Sequence, residues 1–312
     1  MVRKGFTGAG AQRWFCRSCM TTQTRRRLDN TTRSRRQLLA SWMAGMKPLA
    51  EIAKRIGVSR EHLSRRLSLA WRTMPPSPVI VVEDDVLVLD ALGYAGGVVC
   101  LLRTVERPAA AWHFADTENA EGWYAALGHV RGEPRVMVSD HQKGLRLAAK
   151  QRFPEVLHQR CIAHIIRRAQ SWITRRPKTS AGKYLRSLAL HLASVRTEDE
   201  ARAWTALFER WRIHFRVFLS ETTEGQNGRR WYTHRYLRKT VSLLRGAIPE
   251  MFTFTLAPNT PRTSNHVEGG LNAQLAERLQ RHRGLPPERQ QALITFFLED
   301  WNERKSCTRN IT

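Results

Sequence analysis

Three acidic residues stand out in a chain that is otherwise strongly basic, with 52 Lys+Arg against 27 Asp+Glu. Asp90 closes the apolar run VLVLD, Asp140 closes VMVSD, and Glu268 lies within RTSNHVEGGLNAQL. Each has a local reading. Asp90 can cap the turn toward Gly93, and Asp140 can make a strand-end turn or a helix cap. Glu268 follows Asn265 by three positions, the spacing of a capping box. As a set they can do more. Attack on a phosphodiester needs charge stabilisation at the entering and leaving oxygens, and two divalent cations held by a few carboxylates supply it. Glu83, Asp84 and Asp85 are rivals of Asp90, but they precede the strand and read as solvated.

Other side chains form smaller sets. Cys16 and Cys19 make one Cys-x-x-Cys pair behind an aromatic residue, which is how half of a zinc ribbon reads. Tetrahedral zinc needs four ligands, and no second pair follows, so a Zn²⁺ site and a metal-free pair stand equal. A start placed too far downstream would account for a missing first pair. Cys161 and His164 are spaced i, i+3, on one side of a helix; a structural or DNA-end-positioning role fits them better than metal binding. Trp204, Trp211, Trp231, Tyr232 and Tyr236 are interleaved with arginines. Trp204 and Trp211, at helical spacing, read as core. Trp231 and Tyr232, beside EGQNGRR, read as platforms for unpaired bases.

The elements that must position these groups follow from periodicity. Residues 33–45 are apolar on one side and basic on the other. In KPLAEIAKRIGVSREHLSRRLSLAW, Leu49, Ile52, Ala53 and Ile56 recur at helical spacing, Gly57 breaks the pattern, and Ser59 is a good N-cap for a second helix. This predicts a helix-turn-helix over 31–73 that presents Arg60, His62, Ser64, Arg65 and Arg66 to a DNA groove. Residues 1–30 read as a partial zinc-ribbon-like basic segment. RTMPPSPV is a linker.

Beyond it, VIVV, VLVLD, GGVVCLLR and AAWHFA are short apolar runs between turn residues, with GYAGG as a hairpin connection. NAEGWYAALGHV reads as helix, RVMVSD as strand, GLRLAAKQRF as helix, VLHQR as strand and CIAHIIRRAQSWI as helix. Three antiparallel strands followed by alternating helices and strands is the order of a ribonuclease-H-like core, a mixed α/β fold. Its first part spans 78–170. Residues 171–255 lose the strand signal and read as a helical insertion, with MFTFTL a short strand or loop. The final part of the core, 256–312, carries Glu268 and two helices.

Composition limits the class of function. The chain has 312 residues, 42% of them hydrophobic, and a net charge of +25, so it can bury a core and its partner should be a polyanion. Residues 1–73 alone hold 17 Lys/Arg against 3 Asp/Glu. No run is apolar enough to span a bilayer and no secretory leader is evident. Nucleic acid is therefore the expected partner rather than a membrane. Five scattered cysteines, Cys16, Cys19, Cys100, Cys161 and Cys307, suggest no disulfide framework and fit a reducing cytoplasm.

Two blocks carry a specific resemblance. Asp140, Lys143-Gly144-Leu145, Phe153-Pro154 and Gln159-Arg160-Cys161 to His164 resemble the second-aspartate block of the IS256/Mutator-type DDE transposases. RTSNHVEGGLNAQL is similar to that family's third block, and the domain order resembles IS1249-like members. Two departures are His141, where the family often has Gly, and Ala91 after Asp90. The resemblance implies a metal-binding triad of Asp90, Asp140 and Glu268 with two Mg²⁺ or Mn²⁺. It implies an enzyme that binds terminal inverted repeats, cuts the element's ends and joins the 3′-hydroxyl to target DNA, as a dimer or larger assembly. The alternatives are a non-catalytic DNA-binding regulator derived from such a protein, and a nuclease without strand transfer.

Overall fold

A computed structural model describes residues 1–8, 10–24, 42, 49–71, 74–105, 109–264 and 271–309. Of the amphipathic stretch 33–45 only Trp42, helical and buried, is described, and Glu268 lies outside the described residues. The chain divides into two compact units, Met1–Met74 and Pro75–Thr312, at the proline-rich linker.

The first unit opens with a three-stranded antiparallel sheet of β1 (Val2–Phe6), β2 (Gln12–Phe15) and β3 (Thr22–Thr24). Cys16 follows β2 and Cys19 lies in the turn before β3. Two helices come next, α1 (Leu49–Arg55) and α2 (Arg60–Trp71). Gly57 takes φ +72 in the link between them, the left-handed conformation that costs glycine least. Ser59 Oγ accepts the His62 N–H at 3.1 Å, the N-cap its position predicts. Ile52, Ala53, Leu63 and Leu67 are buried, so the two helices close on their apolar faces. Arg60, His62 and Arg65 are exposed and Ser64 is half-buried; the Arg66 side chain lies outside the described residues.

The second unit is mixed α/β. Its main sheet holds β5 (Val86–Tyr94), β6 (Gly97–Thr104), β7 (Ala110–Ala115), β9 (Val136–Ser139) and β10 (Leu157–Arg160), in the order β10-β9-β5-β6-β7. The β5, β6 and β7 strands form an antiparallel meander, and β9 and β10 add in parallel to β5. VIVV does not join this sheet. It forms β4 (Ile80–Glu83), which pairs in parallel with β8 (Val130–Glu133). Thus β8 takes the end of a stretch expected to be helical, and the helix α3 (Ala120–Leu127) stops at Gly128.

Alternation sorts the β5 side chains between two faces. Leu87 and Leu89 pack with Trp123, Ala126 and Leu127 of α3 and with Leu145, Ala148 and Ala149 of α4 (Lys143–Arg152). Val86 and Val88 pack on the opposite face with Val136, Val138 and Ala257.

The expected helical stretch after β10 holds α5 (Ile162–Ile173), α6 (Ser180–His191), α7 (Glu198–His214), α8 (Arg216–Ser220) and α9 (Arg235–Met251). Trp204, Phe208 and Leu244 are fully buried in its core. This stretch is not wholly helical. A hairpin of β11 (Thr222–Glu224) and β12 (Arg230–Tyr232) interrupts it. MFTFTL forms the last residue of α9 and a 3₁₀ turn, Thr253–Thr255, rather than a strand. Two helices close the chain, α10 (Leu271–Arg281) and α11 (Pro287–Arg309). Asn302 of α11 exchanges two hydrogen bonds with the Ala110 backbone of β7, both 2.8 Å. No helix among the described residues is long and apolar enough to cross a membrane.

Candidate acidic site and the side chains around it

Asp90 and Asp140 come together because β5 and β9 are parallel neighbours. Val88 pairs with Val138, so two residues farther on the strands bring Asp90 and Asp140 level. Both are half-buried. Asp90 Oδ1 accepts its neighbour's N–H, from Ala91, at 2.9 Å. Its Oδ2 accepts Asn272 Nδ2 of α10 at 2.6 Å, across 182 residues. Asp140 Oδ1 accepts the Gln142 N–H at 3.0 Å, the strand-end turn of its local reading. Asp85 differs from expectation: it is buried rather than solvated, and its Oδ1 accepts the N–H groups of Val86 and Val105. That structural work leaves Asp90 as the carboxylate of β5 placed beside Asp140.

A further carboxyl, Glu118, escapes the sequence reading. It lies in the loop before α3 and accepts Trp123 Nε1 at 3.3 Å. Burial raises its pKa, and the charges of Asp140 and Asp90 raise it further, against the opposing effects of Trp123 and His164. Three carboxyls thus share one negative region. Gln142 ties the loops together by donating to the Glu118 carbonyl at 2.9 Å and accepting the Leu145 N–H at 2.8 Å.

Cys161 and His164 border the same region. Cys161 is the N-cap of α5 rather than a residue within it, and it is fully buried. Its Sγ accepts both the N–H and the hydroxyl of Ser264 at 3.3 Å. Burial opposes ionisation of this thiol, but hydrogen bonds with His164 and Ser264 bring its pKa below the ordinary value. The bond with Cys161 raises the His164 pKa; burial opposes the rise, and the charges of Asp90 and Asp140 add to it. The pair is therefore hydrogen-bonded and lies within reach of the aspartates' charge. Ser264 on Cys161 and Asn272 on Asp90 anchor the described ends on either side of the stretch that holds Glu268.

A second cluster lies beyond Asp140. His141, His158 and Glu250 bring one ligand atom each within 4.8 Å of one another, the one such group of three among the described residues. Glu250 Oε2 is 3.1 Å from His158 Nδ1 and 3.3 Å from His141 Nε2. Burial, then the charge of Arg160, drives the His141 pKa down to about 4, with Glu250 opposing. Burial would raise the Glu250 pKa, but the His158 hydrogen bond and the His158, His141 and Arg146 charges hold it low.

The remaining predicted residues are spread out. Trp204 and Trp211 are core, as their spacing predicts, whereas Trp231 and Tyr232 on β12 are 43% and 45% exposed. Arg238 covers one face of the Tyr232 ring at 3.6 Å. Cys16 and Cys19 bond to Ser18 Oγ and Thr21 Oγ1 at 3.1 and 3.0 Å. The Ser18 bond and the neighbouring Cys19 groups lower the Cys16 thiol to about 6. Among the described residues these two cysteines belong to no group of three metal-ligating side chains.

Comparison with known proteins bears on one part of this chain. Residues 106–227 match the family model described as Transposase, Mutator family. A Corynebacterium diphtheriae protein, "Probable transposase for insertion sequence element", is 28% identical over 192 residues, which are 59% of this chain and 48% of that protein. The chain thus spans about half the length of that curated relative. The stretch that matches the family model contains Glu118, Asp140, Cys161 and His164; Asp90 and Glu268 lie outside that stretch.

Proposed function

We propose that the chain is the DNA transposase of an insertion sequence, of the IS1249-like kind, with Asp90, Asp140 and Glu268 as its metal-binding triad. The observation that carries this reading is the level placement of Asp90 and Asp140 on adjacent parallel strands. The sheet order supports it: read from β7 through β6, β5 and β9 to β10, it is the 3-2-1-4-5 order of a ribonuclease-H-like core. The similarity of residues 106–227 to Mutator-family transposases points the same way.

The donor set fits Mg²⁺ or Mn²⁺. Hard cations take carboxylate oxygens, and Asp90 and Asp140 offer them side by side; Glu118, whose pKa is raised first by burial and then by the charges of Asp140 and Asp90, lies near them. When bound, a pair of such ions supplies charge stabilisation at both oxygens of an in-line displacement. The chain's own residues position and hold. Asn272 and the Ala91 N–H fix the two Asp90 oxygens, and the Gln142 N–H fixes Asp140. His164, whose pKa the Cys161 bond raises against burial and whose ring feels the charges of Asp90 and Asp140, would help position the site. Arg60, His62, Ser64, Arg65 and Arg66 would read the terminal repeats, and Trp231 and Tyr232 would stack on distorted ends. Two ends must be joined, so the working form is a dimer or larger.

The test uses a duplex carrying one end of the element and a pre-cut version of it. Asp140→Asn and Glu268→Gln should each lower metal-dependent cleavage and strand transfer by at least about a hundredfold and leave repeat binding nearly intact. Normal cleavage by Glu268→Gln would remove Glu268 from the triad. Repeat binding by the unmodified protein without any cleavage would make it a DNA-binding regulator. Cleavage without joining of pre-cut ends would make it a nuclease.

A further inference from the structure

The cluster beyond Asp140 belongs to neither the acidic site nor the DNA-reading surfaces, and its geometry does not depend on the function proposed above. We propose that His141 Nε2, His158 Nδ1 and Glu250 Oε2 form a site for one divalent transition-metal ion of the zinc class.

Two of the three ligand separations match a tetrahedral site, and the third lies within 4.8 Å. Two ligands about 2.0–2.1 Å from a tetrahedral zinc ion lie about 3.3 Å apart. Glu250 Oε2 stands 3.3 Å from His141 Nε2 and 3.1 Å from His158 Nδ1.

The state of His141 is the second observation. Its side chain is only 9% exposed, and neither ring nitrogen has a hydrogen-bond partner. Its 3.3 Å approach to Glu250 is a close contact without hydrogen-bond geometry. Native proteins seldom leave a buried polar atom without a partner, and a bound ion is one of the usual reasons for an exception.

Surrounding contacts orient the ligands as metal sites require. Ser139 Oγ lies 2.7 Å from His158 Nε2, leaving Nδ1 for the site, and accepts the His141 N–H at 3.1 Å. One buried hydroxyl therefore fixes one imidazole and the backbone of the other. His158 and Glu250 also line an open pocket of about 440 Å³, which gives an ion a route in and leaves room for a fourth ligand.

The surroundings also select the ion. Lys143, Arg146 and Lys150 line the same pocket, so the local field does not attract cations. Mg²⁺ and Ca²⁺ prefer sets of oxygen ligands. Two imidazoles and one carboxylate suit Zn²⁺, Co²⁺ or Ni²⁺, held by ligand preference rather than by field. The basic lining would favour an anion in the fourth position. Such an ion would clamp Glu250, at the end of α9, to the loop after β9 and to β10.

The test uses the full chain carrying Cys16→Ser and Cys19→Ser, in excess Mg²⁺ to occupy the acidic site. Titration with Co²⁺ should fill one site per chain, with visible d–d bands but no thiolate charge-transfer band, and Zn²⁺ should displace it. His141→Ala and His158→Ala should each weaken binding at least about tenfold, whereas Asp90→Asn should not. Zn²⁺ should also raise the thermal midpoint of the parent but not of Glu250→Gln, which keeps the side-chain shape. Absence of a saturable site in the folded parent would overturn the proposal. So would unchanged affinity in the folded His158→Ala or Glu250→Gln protein.

Discussion

At the scale of single residues, His141 has the most consequential environment. Its φ of +70 is left-handed, a conformation that Asn, Asp and His adopt more readily than most residues, and its ring is buried beside Arg160 and His158. In chelator, with no metal bound, its depressed pKa makes folding sensitive to acid. Between its ordinary 6.5 and its folded value of about 4, the unfolded chain binds a proton that the folded chain does not. Stability is then fully present above pH 6.5 and falls as the pH drops toward 4, by up to about 3 kcal/mol. The low pKa of Glu250 acts with the same sign, because its stabilisation is lost as that carboxylate protonates. His141→Asn, which tolerates the same backbone conformation, should flatten this dependence. Denaturant melts from pH 7 to pH 4 measure it, and an unchanged slope in the variant would sink the argument.

At the scale of elements, the Lys-Gly-Leu motif has a packing reason. A Cβ on Gly144 would lie 2.7 Å from the Ala120 N and 2.8 Å from the Asn119 carbonyl carbon, so the start of α4 presses on the start of α3. Gly144→Ala should destabilise by about 1–3 kcal/mol and shift the Gln142 contacts that steady Asp140. Thermal melts check the first effect and Mg²⁺ affinity the second; a stability equal to the parent's would contradict the close approach. The same elements show what patterning can reveal. VLVLD, GGVVCLLR and VMVSD were legible because apolar, β-branched runs end at turn residues. TTE and RWY of the β11–β12 hairpin were not, because five of their six residues are exposed and leave no hydrophobic alternation. VRGE was not legible as a strand, and its Val130 read as a helix end, because only its pairing with distant β4 makes it one. The chemistry divides along the same line. Asp140 could be read from a strand end and Asp90 from the end of an apolar run, although β5 runs on past Asp90 to Tyr94, whereas Glu118, Asn272 and the joining of Glu250 to His158 depend on contacts between segments far apart in sequence. Glu268 was legible as a motif, and it lies outside the described residues.

At the scale of the whole molecule, charge is divided unevenly between the two units. Residues 1–73 carry 17 Lys/Arg against 3 Asp/Glu, and the rest of the chain supplies the carboxylates of the acidic site. A polyanion should therefore be gripped chiefly through the first unit, whose α2 exposes Arg60 and Arg65. Neutralising phosphates releases condensed counterions, so log K falls with log salt by about 0.9 for each phosphate contacted on a duplex. If Arg60 and Arg65 each meet one phosphate, Arg60→Gln with Arg65→Gln should lower that slope by about 1.8 and weaken binding to any duplex. If they read bases instead, the slope should change little while discrimination between the repeat and a scrambled duplex falls, by about 1–3 kcal/mol for each lost contact. Either result places α2 on DNA. Binding isotherms for both duplexes over a salt series separate the two, and a double variant that matches the parent in slope and in discrimination would remove α2 from the interface. Because both arginines sit in the first unit, metal binding at Asp90 and Asp140 should be unchanged in this variant. That would separate holding the DNA from the chemistry done on it.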